Sequence, residues 1–451
     1  MKTLDQITAG LQGYDPQAMS ADDVQAFLSR LVTPVRDVLE LPLFEALGRV
    51  LADDVISPFD VPPHDNSAMD GYAFDGKQLR TDSTIELQVV GTALAGKAWQ
   101  GSDGPVKTGQ CVKIMTGAVM PQGLDTVVPQ ESVTLNQVDE ASHITLPPGL
   151  LRAGDNRRLR GEDLMQGKAA LKKGEILTPA RLGLAASLGL DTLKTWRPLR
   201  VAYFSTGDEI LSLGEAPREG AVYDSNRYTL FGLLSRLGCQ VIDMGVVRDD
   251  PALLEAAFTR AAAQADAIIT SGGVSVGEAD FTKAMMKKLG DVAFWRIAMR
   301  PGRPMAVGRI LSTKSATIPI YTGTRSYTNN SNPDGAILFG LPGNPVAVMV
   351  TFLAFVRPAL LQMMGANAAP APLLKARSSE AIRKKPGRTE YQRGWVSSAP
   401  DGSLQVKSTG SQGSGVLRSM AEANGLMVLH HTQGNVAVGD EVDVMMFDGV
   451  I

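Results

Sequence analysis

The sequence predicts a multidomain protein of the α/β plus β class: one α/β domain with a parallel sheet, two smaller β-rich domains and a small linking α/β region. The first observation is length, because 451 residues exceed the roughly 100–200 residues of one domain. The second is an alternation of strand-like and helix-like segments over 195–370, typical of a parallel sheet covered by helices on both faces. The third is the short β-rich segments, separated by Gly or Pro, in 57–167 and 371–451.

The composition is that of an ordinary globular protein and argues against several kinds of partner. Hydrophobic residues make up 44% and charged residues 20%, and 44 Lys and Arg against 47 Asp and Glu give a net charge of −3. So small a charge gives no long-range attraction to nucleic acid or to an anionic membrane, and we expect neither as a partner. An anionic ligand must therefore be held by a local arrangement of residues.

Cysteine content and apolar runs indicate a cytoplasmic protein. The two cysteines, Cys111 and Cys239, lie far apart in the chain; they exclude a disulfide framework and fit a reducing compartment. The first residues hold no apolar core of signal-peptide length. No uninterrupted run of about 18 apolar residues occurs, so we expect no transmembrane span.

The first half of the chain divides into a helical part and a β-rich part. Residues 1–56 read as an N-terminal helical or linking segment, in which Ser20 can cap a helix with an apolar stripe; the stripe consists of Val24, Phe27, Leu28 and Leu31. Residues 57–167 contain the β-rich segments TIELQVVG, CVKIMTG and DTVVPQESVTL. Residues 168–194 read as a second linking segment.

The α/β domain over 195–370 shows start and stop signals for its helices. Asp224 or Ser225 can cap a helix that ends at Gly238, with one apolar face formed by Leu230, Phe231, Leu234 and Leu237. Asp250 precedes a proline that opens the next helix, and Asn344 is placed to cap another. Ligands of such sheets bind at the carboxyl ends of the strands.

An insertion and a linker complete the pattern. Residues 313–335 are rich in Ser, Thr, Asn, Gly and Pro and predict an exposed, mobile loop or a hairpin extension. Whether this insertion covers the site or only decorates the surface stays open. Residues 366–372 read as a linker to the C-terminal β domain.

Four segments follow strands of the α/β domain and carry groups suited to an anionic ligand. They are FSTGDEI (204–210), SGGVSVGEAD (271–280), LPGNP (341–345) and RPGRP (300–304). Glycine turns let backbone N–H groups approach an anion, and arginine is a planar donor for oxyanions. The alternative for each segment is an ordinary polar or basic turn. The candidate binding residues are Ser271, Gly272, Gly273, Ser275, Arg296, Arg300, Pro342, Gly343, Asn344 and Pro345.

Carboxylates occur beside these turns. Glu209, Asp249 and Asp280, near arginines and glycine loops, suit a Mg²⁺–phosphate substrate, because Mg²⁺ prefers carboxylate and phosphate oxygens. No histidine lies at metal-ligand spacing from a cysteine or another histidine, since His430 and His431 are neighbours that point to opposite faces of a strand. A zinc site is therefore not expected.

The β-rich domain has its own polar turns. PPHDNSAMDGYAF (62–74) contains Asp70, IMTGAVMP (114–121) contains Thr116, and GEDL (161–164) contains Asp163. Taken singly, each of these segments fits a structural turn better than a binding site.

Seven motifs in their order along the chain resemble the MoeA family, which includes the E domain of gephyrin. They are DNSAMDGYAF, IMTGAVMP, RRLRGED, FSTGDEI, VRDDP, SGGVSVGEADFTK and GLPGNPVA. The resemblance covers essentially the whole chain. It implies an elongated homodimer of four-part subunits, with one α/β domain similar to molybdopterin-binding MogA. It also implies an active site between that domain and the β-rich domain of the partner subunit.

Matching the motifs residue by residue implies the functional residues. In the β-rich domain they are Asp70, Thr116 and Asp163. In the remaining domains they are Glu209, Asp249, Asp280, Pro342, Pro345 and, within TGSQGSG, Ser414. Arg296 and Arg300 stand where some members of the family carry lysine, so the charge is kept while the donor geometry differs.

The resemblance implies a transferase that inserts molybdate into adenylyl-molybdopterin with release of AMP. Mg²⁺ held by Glu209, Asp280 or both would screen the pyrophosphate linkage, with the phosphates against the glycine loops. Asp70 and Asp249 would bind metal or transfer protons, and molybdate would bind to arginine and backbone donors. The partners implied are adenylyl-molybdopterin, molybdate, a second subunit and an upstream molybdopterin adenylyltransferase.

Two other functions compete with this one. A molybdopterin adenylyltransferase would share the MogA-like fold and the SGG loop, but a lone domain of that type lacks the β-rich domain with DNSAMDGYAF. A non-catalytic scaffold is the second, since the E domain of gephyrin clusters receptors; the complete set of acids argues against it.

Overall fold

The computed structural model describes residues 3–10, 14–101, 104–138, 141–274, 281–312, 317–322, 325–330, 335–367 and 369–447. They form two compact units. The main unit comprises Met1–Asp53, Lys173–Leu182 and Asp191–Ile451, and the β unit comprises Asp54–Lys172 and Gly183–Leu190.

Helices and strands are distributed as follows. The helices are Leu4–Thr8 (α1), Ala21–Leu31 (α2), Pro179–Ser187 (α3), Ser225–Arg236 (α4), Pro251–Gln264 (α5), Phe281–Leu289 (α6), Pro345–Thr351 (α7), Arg357–Met363 (α8) and Leu417–Ala421 (α9). The strands are Val38–Pro42 (β1), Val55–Ile56 (β2), Asn66–Ser67 (β3), Gly71–Phe74 (β4), Ile85–Ala93 (β5), Gln110–Ile114 (β6), Thr126–Pro129 (β7), Thr134–Val138 (β8), Ala141–Leu146 (β9), Arg157–Arg158 (β10), Ala169–Leu171 (β11), Thr192–Trp196 (β12), Arg200–Thr206 (β13), Ile210–Leu211 (β14), Val222–Tyr223 (β15), Gln240–Val247 (β16), Ala267–Ser271 (β17), Gly290–Arg296 (β18), Met299–Arg300 (β19), Pro304–Ile310 (β20), Thr317–Thr322 (β21), Arg325–Asn330 (β22), Ala336–Leu341 (β23), Leu373–Ser378 (β24), Thr389–Ser398 (β25), Leu404–Ser408 (β26), Gly425–Leu429 (β27) and Glu441–Met446 (β28).

The β unit is built on a six-stranded sheet, which confirms the predicted β-rich character. Its strand order is β7-β4-β6-β5-β9-β8. Side chains alternate across the strands, so Ala73 and Val112 pack in one apolar cluster while Tyr72 and Cys111 pack in another. Both faces of the sheet are thereby buried.

The α/β domain of the main unit has a six-stranded sheet in the order β16-β13-β17-β23-β20-β18. The first four strands are parallel, as predicted. At the other edge, β20 runs antiparallel to β23, and β18 runs antiparallel to β20. The sequence pattern did not predict these two antiparallel pairings. Strands β18 and β20 follow each other through the short turn that contains RPGRP, and so short a connection cannot return the chain for parallel pairing.

Helices cover both faces of this sheet, as the alternating pattern predicted. Val201 and Tyr203 of β13 pack with residues of α2, α4, α7 and α8. Ala202 and Phe204 of the same strand pack with α5 and α6 on the other face. The strand β13 is buried along its whole length, and burial on both faces explains why its central residues, Val201 to Phe204, are all apolar.

Several predicted caps are present. Ser20 forms a capping box with Asp23 at the start of α2, and Asp224 caps α4 by accepting from the backbone N–H of Arg227. The stripe predicted for α4 was wrong in one residue, because Phe231 is 54% exposed while Leu233 is buried. The helix is rotated so that position 233, rather than 231, faces the sheet.

The segment Pro345–Met363 is long and apolar enough to cross a membrane by length and composition alone. Of its most apolar stretch, 78% is buried inside the protein, as in the core helix of a globular domain. Thr351 and Arg357 interrupt the apolar sequence, so no uninterrupted run is visible. A π-helical turn, Phe352–Val356, joins α7 to α8 within this segment.

The C-terminal domain is a closed β structure. Strands β25, β26, β24, β28 and β27 pair in this order, and β27 pairs back with β25. The short strand β19, which precedes the RPGRP turn, pairs in parallel with β25. The turn therefore lies where the α/β domain meets the C-terminal domain within the main unit.

The insertion contains a hairpin. Strands β21 and β22 pair antiparallel from Thr317↔Asn330 to Thr322↔Arg325, so the hairpin alternative is confirmed for the described residues. The chain leaves the sheet near Ile310 and re-enters at Ala336, the amino end of β23. LPGNP follows the carboxyl end of β23, about 20 Å away at the rise of a strand. This attachment favours decoration of the surface over coverage of the strand ends.

Candidate active site

A pocket of about 830 Å³ opens at the carboxyl ends of the parallel strands. Its walls come from the segments after β13, β16, β17 and β23, from the RPGRP turn, and from the C-terminal domain. The convergence follows from topology, because parallel strands end at the same edge of a sheet. Of the predicted site residues, the pocket is lined by Glu209, Asp249, Gly272, Gly273, Arg300, Pro342, Gly343, Asn344 and Ser414.

The SGG turn needs its glycines. Gly272 has φ +92°, and a Cβ there would lie 2.5 Å from the carbonyl oxygen of Thr206; Gly273 has φ +65°, and its Cβ would lie 2.5 Å from Thr282. Both conformations are rare for residues with side chains. The absence of side chains lets two strand-end loops approach each other closely at the pocket wall.

Ser271, by contrast, does not line the pocket. Its hydroxyl is buried and lies 2.8 Å from the hydroxyl of Tyr203, which in turn lies 2.5 Å from that of Ser205. Burial raises the pKa of Tyr203, so these groups stay neutral. The hydroxyl of Ser271, a predicted binding residue, therefore forms its hydrogen bonds inside the sheet and not in the pocket.

The LPGNP turn is fixed from two sides. Asn226 of α4 donates from Nδ2 to the carbonyl oxygen of Gly343 at 2.7 Å, and Asn344 donates from Nδ2 to Oγ of Ser414 at 2.9 Å. Asn344 occupies the N-cap position of α7 without a side-chain capping bond. The predicted cap position is confirmed, but the amide of Asn344 binds the C-terminal domain and makes no capping bond. Pro345 begins α7 behind the turn and does not line the pocket.

Acidic residues form one wall of the pocket. Glu209 folds back over Gly207, where a Cβ would lie 2.6 Å from its carboxylate. Asp249 accepts a hydrogen bond from the Thr282 hydroxyl at 3.4 Å, and its backbone N–H donates to Asp208. Burial and the charges of Asp208 and Glu209 together raise the pKa of Asp249 above its ordinary value. The wall thus carries excess negative charge.

Replacing Asp249 by asparagine is expected to raise the melting temperature slightly at neutral pH. The folded-state pKa of Asp249 is raised, so its ionised form costs stability once the pH exceeds that pKa. Thermal unfolding at neutral and acidic pH measures this; the gain must shrink as the pH falls through the folded-state pKa. Asp250→Ala is the matched control, because Asp250 caps α5 and its loss costs about 1 kcal/mol. A lower melting temperature for Asp249→Asn at neutral pH would contradict the expectation.

Arginines form another part of the pocket lining, called the arginine wall below. Arg300, Arg303 and Arg388 line the pocket, and Arg388 is held by Glu390 at 2.7 Å. Arg296, a predicted binding residue, is exposed and does not line the pocket; its backbone N–H donates to Pro16. The end of β18 is thereby tied to the N-terminal segment.

Arg393 is a fully buried residue that no motif in the sequence identified. Its guanidinium donates to the carbonyl oxygens of Ser411, Gln412 and Gly413 and to Oγ of Ser419. Burial and the charge of Arg300 lower the pKa of Arg393 to about 10. The loop that carries Ser414 is thus wrapped around a buried cation. The burial of β25 does not alternate along the strand, so the sequence pattern gave no signal for Arg393.

The β unit brings two of its three predicted residues into contact. Oδ1 of Asp70 accepts from the backbone N–H and the hydroxyl of Thr116, both at 2.7 Å. These bonds hold the pKa of Asp70 below its ordinary value. Asp163 lies on a separate turn, where its N–H donates to Val61. The neighbouring Glu162 pairs with an arginine of β10 at 2.6 Å.

Two predicted residues, Ser275 and Asp280, lie outside the described residues. Among the described residues, no group of three or more His, Cys, Asp or Glu side chains is arranged to hold a metal ion. Glu209 and Asp249 remain as carboxylates on the pocket wall, and Mg²⁺ uses one or two carboxylates when phosphate and water complete its coordination.

Three family models match the chain in order. The MoeA N-terminal region (domain I and II) matches residues 19–189, and the probable molybdopterin binding domain matches 202–362, which supplies most of the pocket. The MoeA C-terminal region (domain IV) matches 375–447.

Similar proteins agree with these matches. A molybdopterin molybdenumtransferase of Haemophilus influenzae is 40% identical over 412 residues, covering 91% of this chain and 94% of that protein. One from Nostoc is 35% identical over 444 residues, covering 96% and 95%. The crystal structure of the molybdopterin biosynthesis moeA protein from Pyrococcus horikoshii superposes with a TM-score of 0.74 at 26% identity, covering 95% of this chain and all of that one. The chain belongs to the MoeA family.

Proposed function

We propose that this protein inserts molybdenum into molybdopterin, using molybdate and adenylyl-molybdopterin and releasing AMP. The observation that carries the proposal is the pocket itself, whose lining combines acids, arginines and glycine turns. It lies in a domain that matches a molybdopterin-binding model, and relatives are named molybdopterin molybdenumtransferases. Such a pocket suits a substrate with phosphate groups together with a second, oxyanionic substrate.

The glycine turns are suited to the phosphates of the pterin substrate. Among the described residues, the backbone N–H groups of Gly273, Gly343 and Asn344 have no hydrogen-bond acceptor. Unpaired N–H groups at a tight turn bind anions. The phosphates would supply acceptors that the described part of the chain does not.

The arginine wall is suited to molybdate, an oxyanion. Arg300→Gln is expected to raise the KM for molybdate about 10- to 100-fold, the effect of losing one hydrogen bond between charged groups. Steady-state kinetics at saturating adenylyl-molybdopterin measures this. Arg260→Ala is the control, since Arg260 is an exposed residue of α5 that does not line the pocket. An unchanged KM for molybdate would remove Arg300 from the binding site.

The acid wall fits a magnesium ion. Burial, together with the charges of Asp208 and Glu209, raises the pKa of Asp249, and a divalent cation would relieve the repulsion among these three carboxylates. Glu209, Asp280 or both would hold the ion, and bound Mg²⁺ would neutralise the phosphate charge. Asp249, with its raised pKa, is suited to accept a proton as an oxide leaves molybdate.

We further propose a homodimer in the cytoplasm, in which one subunit supplies Asp70, Thr116 and Asp163 to the pocket of the other. One support is the family resemblance. The other is a set of exposed apolar residues of the main unit, since exposed apolar surface is typical of protein–protein interfaces; they are Leu213, Val222, Tyr228 and Phe231. Sedimentation equilibrium is expected to give twice the chain mass of 47.9 kDa. A monomeric active protein would refute the shared site.

The decisive experiment supplies purified protein with adenylyl-molybdopterin, Mg²⁺ and molybdate and follows AMP. Release of AMP that depends on molybdate supports the proposal. Consumption of ATP with unmodified molybdopterin would identify an adenylyltransferase instead, the reaction that must otherwise supply the substrate. Absence of both reactions would favour the non-catalytic scaffold.

A further inference from the structure

We infer that Asn226 is a positioning residue for this reaction. It orients the peptide between Gly343 and Asn344 so that the backbone N–H of Asn344 is available to a phosphate of the pterin substrate. The inference rests on the proposed function. Asn226 is 7% exposed and does not line the pocket, so it acts through the turn and not on the substrate.

The position of Asn226 is fixed by its own helix. Asp224 caps α4 by accepting from the backbone N–H of Arg227 at 3.0 Å, and its own N–H donates to Leu211 at 3.0 Å. Asn226 therefore stands in the first turn of a helix that is anchored on both sides. From there its Nδ2 reaches the carbonyl oxygen of Gly343 at 2.7 Å.

Peptide geometry turns this bond into an orientation. In a trans peptide the carbonyl of one residue and the N–H of the next lie in one plane and point in opposite directions. Holding the Gly343 carbonyl toward α4 therefore directs the Asn344 N–H away from α4. Asn344 lines the pocket, and its N–H has no acceptor among the described residues.

The side-chain oxygens of Asn226 and Asp224, unpaired in the described part of the chain, argue against a purely structural role for Asn226. Oδ1 of Asn226 and Oδ2 of Asp224 are buried and have no hydrogen-bond partner among the described residues. Buried polar atoms without partners are unfavourable and rare in folded proteins. The one hydrogen bond that the described residues show for this amide is the bond to Gly343, which points to a role of that bond in the turn.

The test compares Asn226→Ala, Asn226→Asp and wild type in the molybdate-dependent AMP-release assay. Asn226→Ala is expected to raise the KM for adenylyl-molybdopterin about 10- to 100-fold, with little change in kcat or in the KM for molybdate. Asn367→Ala is the matched control. Asn367 also donates from Nδ2 to a backbone carbonyl, that of Lys173 at 2.9 Å, and it does not line the catalytic pocket. Its kinetic constants should stay those of wild type.

Asn226→Asp separates positioning from folding. The aspartate has the same shape but can donate to Gly343 only when protonated, and burial raises the pKa of such a group. Its KM for adenylyl-molybdopterin, relative to that of wild type, should fall as the pH is lowered from about 8 to about 5. Asn226→Ala should show no such recovery, and a side chain needed only for packing would show none in either variant.

Each remaining outcome is decisive. An active wild type with an unchanged KM for adenylyl-molybdopterin in Asn226→Ala overturns the inference and leaves the proposed function standing. A rise confined to the KM for molybdate overturns the assignment of the turn to phosphate. A wild type without molybdate-dependent AMP release overturns the proposed function itself. A lower melting temperature with unchanged KM also overturns the inference, since it identifies a structural bond.

Discussion

Replacing Glu209 by glutamine is expected to lower kcat for molybdenum insertion on the order of 10²- to 10³-fold, the loss typical of one preorganised electrostatic group. The carboxylate lines the pocket and is folded over Gly207, which leaves room for it because glycine has no Cβ. Glutamine keeps the shape and removes the charge, so the proposed magnesium ion would lose one of its few carboxylate ligands. Single-turnover AMP release at saturating molybdate measures the effect.

A second variant tests the position of the same carboxylate without removing it. In Gly207→Ala the new Cβ would lie 2.6 Å from the Glu209 carboxylate, so the side chain must move, and we expect a smaller loss of kcat. Glu215→Gln is the control, because Glu215 is an exposed residue of the same connection and binds the backbone of Ser212. Full activity of Glu209→Gln with a Mg²⁺ requirement like that of wild type would show that the metal lies elsewhere.

The parts of the pocket that follow parallel strands could be predicted from the sequence. Glu209, Asp249, Gly272 and Pro342 each come shortly after a strand, and parallel topology brings strand ends together whatever the details of packing. The local signals at those points are strong, since glycine is the residue that tolerates positive φ in tight turns and proline is favoured at the first position of a helix. The alternation of strands and helices therefore predicted the place of the site together with the fold.

Side-chain directions at the same positions could not be predicted. Ser271 and Asn344 stand in recognisable motifs, yet the hydroxyl of one binds Tyr203 and the amide of the other binds Ser414. Both partners are distant in sequence, and a hydrogen bond formed by folding overrides the local preference of a serine or an N-cap asparagine. The exposure of Phe231 has a similar origin, because the rotation of α4 is set by its contacts with the sheet.

Residues that support the site from behind were the least predictable. Arg393 binds a loop some twenty residues further along, and Asn226 binds a turn 117 residues away. Neither belongs to a motif with its partner, and a buried arginine without a carboxylate contradicts the usual composition of a core. Only the three-dimensional contacts reveal them.

Replacing Asp266 by alanine is expected to lower the free energy of unfolding of the main unit by about 3–5 kcal/mol, the cost of leaving buried charges unpaired. The Asp266 side chain is 3% exposed and pairs with Arg197 at 2.6 Å and with Arg200 at 2.9 Å. Both guanidiniums are buried. Burial raises the pKa of Asp266, but bonds and charges of the two arginines outweigh this and lower it. Its stabilising contribution is therefore present at neutral pH and lost as the pH falls through that lowered value.

Two comparisons isolate the unpaired charge as the cause. Asp243→Ala removes the partner of Arg227 in a pair of which the acid is 40% exposed, and such pairs contribute at most about 1 kcal/mol. The triple variant Asp266→Leu, Arg197→Met, Arg200→Met removes the charges together and should be less destabilised than Asp266→Ala alone, because no charge stays buried without a partner. Denaturant titration measures all three. If the triple variant lost at least as much free energy of unfolding as Asp266→Ala, the ion network would stabilise the fold in its own right. In that case the charges at the amino ends of the strands would contribute to the rigidity on which the pocket at the opposite ends depends.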